Sequence, residues 1–412
     1  MRQLKGSCIV GQSGGPTAVI NASIYGAIRT ALDSDCITKV YGAANGIQGL
    51  LEDRLYALDE EDAAELALLK FTPSSALGSC RYKLADPDAD ETDCRRVLEI
   101  FKKYDVRYFF YNGGNDSMDT CHKIAKYMAR VGYDCRVMGI PKTVDNDLFC
   151  TDHCPGYGSA AKYIATTFME VYLDSRVYDT GMITVIECMG RNAGWLTAAA
   201  ALASEAGTGP DLIYLPERPF SMDAFLADVN RVYAKHKKCL IAVSEGIKYA
   251  DGALVSEAKT SATDGFGHAQ LGGLAAMLAA IIKDKTGAKV RGIELSLLQR
   301  CAAHIASGTD IEESFLAGRT AVEEALQGAT DKMVGFACVR DGGYVCTPKL
   351  FDLEDVANHE KKMPDAWINA EGNGILRPFI DYALPLIQGE TAMVKENGLP
   401  RFARLKKVTV KK

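Results

Sequence analysis

The stretch that most constrains this chain runs from Val106 to Asp147. Two apolar runs rich in β-branched and aromatic residues, Val106–Tyr111 and Cys135–Ile140, read as buried parallel strands. Each ends in a polar loop marked by glycine or proline, the place where open α/β sheets hold their ligands. The first loop, Gly113-Gly114-Asn115-Asp116-Ser117, opens a helix, and the second is Pro141-Lys142-Thr143-Val144-Asp145-Asn146-Asp147. They lie about thirty residues apart, roughly one strand–helix–strand unit. A glycine-marked helix start suits phosphate, and a loop of carboxylates beside a lysine suits proton transfer. The pair points to phosphoryl transfer.

The same pattern repeats along the chain. Ser7–Gln12 reads as a strand, Ser13-Gly14-Gly15-Pro16-Thr17 as a turn and Ala18–Leu32 as a helix, an arrangement that aims free backbone N–H groups at an anion. The loop Thr72–Lys83 carries Arg81 and Lys83. Tyr157–Asp174 is helix-like, the strand Met182–Cys188 ends in Met189-Gly190-Arg191-Asn192-Ala193-Gly194, and a helix follows to about Ser204. Leu212–Leu215 is a short strand, Ser221 is a candidate N-cap for a helix to His236, and Cys239–Ser244 runs into Glu245-Gly246. Gly267–Lys285 has the apolar face of a buried helix, and Lys289–Leu298 reads as a strand ending in Gln299-Arg300. Met333–Leu350 reads as a hairpin turning at Asp341-Gly342-Gly343, and the lysine-rich end LKKVTVKK as a solvated terminus. Strands alternating with helices argue for α/β architecture with mostly parallel, doubly wound sheets.

A chain of 412 residues exceeds one ordinary domain, so two are expected. The boundaries fall at 1–150 for the phosphate donor, 151–330 for the acceptor, and 331–412 for a hairpin and C-terminal helices packing back on the donor domain. A net charge of −6 gives no sign of nucleic-acid binding, and no apolar run approaches a membrane span. Thirteen scattered cysteines, an odd number, argue against a disulfide framework and for a reducing, cytoplasmic setting. Cys150 and Cys154 flank His153, but without a distant partner ligand they read as structural rather than as a zinc site.

Phosphoryl transfer requires positioning, cations against the transferring group and a base for the acceptor hydroxyl. The Thr143–Asp147 loop offers two carboxylates, Asp145 and Asp147, behind the Thr143 hydroxyl. One carboxylate suits a base while the other holds a metal or orients the first. The alternative is a turn that caps a helix. Lys142 favours the first reading, because an ammonium there neutralises phosphoryl charge. Arg191, Arg291 and Arg300, at or near strand ends, suit bidentate contacts to a sugar phosphate.

In this order and spacing, GGNDS, PKTVDND, MGRNAG, SEG and LLQR resemble the motif set of the phosphofructokinases, from about Ser7 to Leu350. The resemblance implies phosphorylation of fructose 6-phosphate at its 1-hydroxyl, giving fructose 1,6-bisphosphate, with Mg²⁺, in a homodimer or homotetramer. It implies Asp145 as the catalytic base, with Thr143 and Asp147 supporting substrate and transition state. Met189, Gly190 and Arg191 match the sugar-phosphate motif, Glu245 a sugar-binding glutamate and Arg300 the 6-phosphate arginine. Arg291 matches an arginine contributed across a subunit interface. Gly15 and Arg81 match donor-phosphate positions, as do Gly114 and Ser117 in the glycine loop.

ATP-using members typically carry GGDGS and PGTxDND, whereas pyrophosphate-using members carry GGDDS and PKTxDND. Asp116 and Lys142 are of the second kind. A carboxylate at Asp116 would repel the α-phosphate of ATP, and Lys142 would stabilise the compact charge of pyrophosphate. With pyrophosphate as donor the reaction is expected to run both ways, serving glycolysis and gluconeogenesis. An ATP-dependent enzyme and a regulatory subunit with impaired catalysis are the alternatives. Three positions depart from the family pattern. Asn115 replaces a metal-binding aspartate, Leu297 a histidine or tyrosine at the sugar phosphate, and Met182 an interface arginine.

Overall fold

The computed structural model describes residues 3–256 and 273–410. Eleven strands build two sheets: β1 (Gly6–Gln12), β2 (Ile37–Ala43), β3 (Leu55–Ala57), β4 (Val106–Gly113), β5 (Arg136–Pro141), β6 (Met182–Cys188), β7 (Leu212–Tyr214), β8 (Lys238–Ser244), β9 (Val290–Glu294), β10 (Lys332–Val339) and β11 (Val345–Asp352). The larger sheet has the order β11-β10-β5-β4-β1-β2-β3, and the smaller β7-β8-β6-β9. Its four strands are all parallel, and in the larger sheet only the edge strands β3 and β11 run antiparallel to their neighbours. The mostly parallel α/β architecture is as expected.

β4 and β5 are buried along nearly their whole length, which accounts for their continuous apolar character. In register, Gln12 stands opposite Asn112, and Gly113 opposite Pro141. The loops after β1, β4 and β5 therefore leave the sheet side by side. Pro141 has no N–H with which to continue the ladder, and the chain turns out of the sheet there. In the smaller sheet Cys188 pairs with Ser244, which likewise aligns the loops after β6 and β8.

Helix Tyr157–Ser175 links the halves. Its N-terminus is capped from outside by the buried Asp310 carboxylate, which accepts from the N–H groups of Gly156 at 2.9 Å and Ser159 at 2.8 Å. A cap of this kind contributes about 1 kcal/mol or more. Asp310 lies in helix Gly308–Leu326, which packs on helix Ile20–Leu32 and on β5 of the larger sheet. Chain order therefore does not divide the layers cleanly, and this helix sits with the first sheet although it falls before residue 330.

Several local expectations change. The strand from Lys289 stops at Glu294: Ser296 adopts φ +43°, and Leu298–Cys301 forms a helical turn carrying Gln299 and Arg300. Of the apolar helix, Leu274–Thr286 is present with Leu274, Leu278 and Ile282 buried, while 267–272 lie outside the described residues. The hairpin pairs with β5, whereas helix Arg377–Ala383 packs in the core of the second half, with Phe379 and Ile380 among Trp195, Leu202 and Phe168. The lysine-rich tail is not freely solvated. Val408 O accepts from Ala57 N at 2.9 Å and Val410 N donates to Leu55 O at 2.9 Å, so the tail covers the edge of β3. Ser221 does cap its helix, accepting from Ala224 N at 3.4 Å.

Candidate active site

A cleft of about 530 Å³ opens between the carboxyl ends of the two sheets. One wall comes from the larger sheet: Gly14, Gly15 and Pro16 after β1, Gly114–Ser117 after β4, Lys142–Asp145 and Asp147 after β5, and Arg81. The other wall carries Met189 and Arg191–Ala193 after β6, Glu245 after β8, and Arg300. Ligands of open α/β sheets bind at such strand ends, and here two sheets face one another.

Close packing fixes the phosphate-sized end. Gly14 has φ +74°, and a Cβ on it would lie 3.2 Å from Lys142 Nζ. A Cβ on Gly15 would lie 3.1 Å from an Arg300 guanidinium nitrogen and 4.0 Å from one of Arg81. Three cations thus converge on a turn that only glycine leaves open. The 16-residue helix that starts at Asn115 has no side-chain cap at its N-terminus, so its first N–H groups face the same space. Arg300, expected on the sugar side, reaches across to this turn.

The second loop caps no helix, and both of its carboxylates line the cleft. Asp145 N donates to Thr143 Oγ1 at 3.1 Å, and that hydroxyl lies 3.4 Å from Asp145 Oδ2. Asn146 sits at φ +56° with its side chain turned inward, donating to Tyr382 Oη at 2.8 Å and accepting from Cys154 N at 2.9 Å. Lys361 N donates to Asp147 O at 2.7 Å. The flanking aspartates are thereby turned outward. Burial pushes Lys142 down to about 8, against the pull of Asp145 and Asp147. Burial and the neighbouring Asp145 charge push Asp147 up to about 7. Asp145 is also raised by burial, with Lys142 and Arg191 opposing the shift.

The sugar-side loops are held by their own contacts. Gly190 has φ +136° and lies beneath the surface; its N–H donates to Glu245 Oε1 at 3.3 Å, and its carbonyl accepts from Ser244 Oγ at 2.5 Å. Met189 N donates to the buried Gln299 Oε1 at 3.2 Å. Burial raises Glu245 above the ordinary carboxylate range. Arg291 lies on exposed edge strand β9 and does not line this cleft. Met182 is buried at the opposite end of β6, and Leu297 is exposed. Asn358 and Glu360 also line the cleft, with Glu360 Oε1 accepting from Asn192 Nδ2 at 3.0 Å. They come from a late segment without a recognisable motif. Asn192 and Ala193, by contrast, lie inside a loop already singled out.

The model of the family described as Phosphofructokinase matches residues 7–323. The chain belongs to the phosphofructokinase family. Within curated members, it is 45% identical to the pyrophosphate–fructose 6-phosphate 1-phosphotransferase of Halomonas elongata, covering 97% of this chain and 96% of that one. A protein of the same description from Xanthomonas campestris is 45% identical, with 99% and 98% covered. The crystal structure of the pyrophosphate-dependent phosphofructokinase from Marinobacter aquaeolei superposes with a TM-score of 0.89 at 40% identity, over 99% of this chain and 98% of that chain. As a family member this chain is a phosphotransferase with the family's two-sheet fold. Among the described residues no helix is long and apolar enough to cross a membrane.

Proposed function

We propose that the chain reversibly transfers a phosphoryl group from pyrophosphate to the 1-hydroxyl of fructose 6-phosphate, giving fructose 1,6-bisphosphate and phosphate. The observation that carries this reading is the convergence of Lys142, Arg81 and Arg300 on the Gly14–Gly15 turn, with Asp116 on the same cleft. Residues 1–150 supply the donor wall and most of 151–330 the acceptor wall. Asp145 takes the hydroxyl proton, oriented by Thr143, and Asp147 completes the charge of the loop. Lys142 offsets charge on the transferring group in a water-poor site, where a fixed cation acts most strongly. Gly15, Arg81, Gly114 and Ser117 hold the donor. Arg191 and the Met189–Gly190 backbone hold the sugar phosphate, and Glu245 the sugar hydroxyls. Arg300 spans the gap that the phosphoryl group crosses. Arg291 serves a neighbouring subunit in a homodimer or homotetramer of the cytoplasm.

Asn115 Oδ1 is buried and has no hydrogen-bond partner, beside Asp116 on the cleft wall. Hard oxygen donors of this kind fit Mg²⁺. A magnesium ion held there would neutralise charge on the phosphates. Asn115→Asp is expected to lower the magnesium concentration for half-maximal rate by roughly tenfold, since a carboxylate binds the ion more tightly than an amide. An unchanged magnesium dependence would remove Asn115 from the metal site.

The deciding assay compares pyrophosphate and ATP side by side with fructose 6-phosphate and Mg²⁺. Turnover with pyrophosphate alone supports the proposal, and turnover with ATP alone refutes the donor assignment. The pH profile gives a second check. Lys142 is pushed down to about 8, so its positive charge is lost as pH rises through that value and kcat/KM falls on the alkaline side. Asp147 is pushed up to about 7, so its negative charge is gained as pH rises and forms the acid limb. Lys142→Arg, always charged, is expected to remove the alkaline limb even at a reduced rate. Persistence of that limb in the variant would assign it to another group.

A further inference from the structure

The proposed reaction makes no use of a cluster beneath the β10–β11 hairpin. His153 is 1% exposed, and its ring stacks on Phe336 with centroids 4.9 Å apart. Its Nε2 lies 2.7 Å from Glu313 Oε2, and its Nδ1 lies 3.1 Å from Asp152 Oδ1 and 3.8 Å from Cys338 Sγ. Cys338 stands directly opposite Cys346 in the antiparallel ladder, and both are free thiols. Ligand atoms of His153, Glu313 and Cys346 lie within 4.8 Å of one another, as do those of Asp152, His153 and Cys338. None of these residues lines the phosphate cleft.

We infer that His153, Glu313 and Cys346 form a binding site for a borderline-soft divalent metal, Zn²⁺ by the chemistry of its donors, with Cys338 beside it across the ladder. A sulfur, an imidazole and a carboxylate are ligand types that zinc selects. The supports that such sites use are present. Arg340 grips Asp152 through two bonds of 2.8 Å, and Asp152 in turn holds the His153 ring. The Tyr344 hydroxyl lies 2.7 Å from Glu313 Oε1 and 3.6 Å from Cys338 Sγ. A buried imidazole between two carboxylates is satisfied as an ion pair without a metal. That arrangement has no need of two cysteines in register beside the same ring. Binding releases the Cys346 thiol proton and the proton of the coordinating ring nitrogen, so affinity weakens as pH falls. The metal would tie the segment after the Asp145–Asp147 loop to the hairpin and to helix Gly308–Leu326.

The test uses the full chain, reduced, stripped with a chelator, loaded with Zn²⁺ or Co²⁺ and passed through a desalting column. The expected result is about one retained equivalent of zinc. The cobalt form should show near-ultraviolet thiolate-to-metal charge transfer and the visible bands of a tetrahedral ion. Both features should vanish in Cys338→Ser/Cys346→Ser and persist in Cys36→Ser. Failure to retain metal, a cobalt spectrum without the thiolate band, or a band that survives the double substitution would each overturn the site. If the double variant does not fold, alkylation of the unmodified chain decides. Zinc should protect Cys346, and equal labelling of Cys346 with and without zinc overturns the proposal. Neither readout depends on phosphotransferase activity.

Discussion

Asp145→Ser is expected to lower kcat by about 10²–10⁴-fold, the loss typical of a general base, while fructose 6-phosphate binding stays nearly intact. The reason lies in how the turn is held. The Asp145 carboxylate accepts from Thr143 Oγ1 at 3.4 Å, and the turn itself is fixed by backbone and Asn146 bonds that serine leaves in place. Burial lifts the Asp145 carboxyl above its ordinary range, which makes it a stronger proton acceptor than an exposed aspartate. The measurement pairs steady-state kcat with equilibrium sugar-phosphate binding. Near-normal turnover would remove Asp145 from the role of base, and lost binding would mean that it positions the sugar instead.

Asp116→Gly combined with Lys142→Gly is expected to cut kcat/KM for pyrophosphate by about 10²–10³-fold or more, the scale seen when one preorganised donor to developing charge is removed. The same variant is expected to gain turnover with ATP. Lys142 is nearly enclosed, at 4% exposure, and its ammonium stands over Gly14. Removing Asp116 takes a negative charge from the cleft wall along which a nucleotide α-phosphate would lie. The two substitutions therefore act in opposite directions on the two donors. An unchanged ratio of pyrophosphate to ATP activity would show that donor choice is made elsewhere in the cleft.

The glycine loop and the Lys142–Asp147 loop were legible because each follows a buried strand within a few residues, and strand, turn and helix start all leave local marks. Their adjacency followed from a single strand–helix–strand step. The return of the chain was not legible. Asn358 and Glu360 reach the cleft from a segment with no periodicity or motif, and nothing local in Lys361 predicts that its ammonium lies 2.7 Å from Asp152 O. The tail misled for a related reason: Val408 and Val410 between lysines give too short an alternation to distinguish a strand-edge cover from a solvated end. Arg300 shows a further limit, because sequence places the residue on an element but does not say how far a long side chain reaches. The His153 cluster leaves no local mark, because its thiols come from a hairpin far along the chain, whereas Cys150 and Cys154 stand beside His153 in sequence.

The support of the Asp145–Asp147 loop also has a bearing on the order in which the molecule is completed. Asn146 is separated from Tyr382 by 236 positions, and the Tyr382 hydroxyl in turn donates to Asp152 O at 2.8 Å. During synthesis the motif leaves the ribosome well before its anchors. Contacts of such long separation form late, since the intervening chain must first be ordered. A nascent chain that already contains every proposed catalytic group still lacks the scaffold that turns them toward the cleft, so the chemistry waits for the segment around Tyr382.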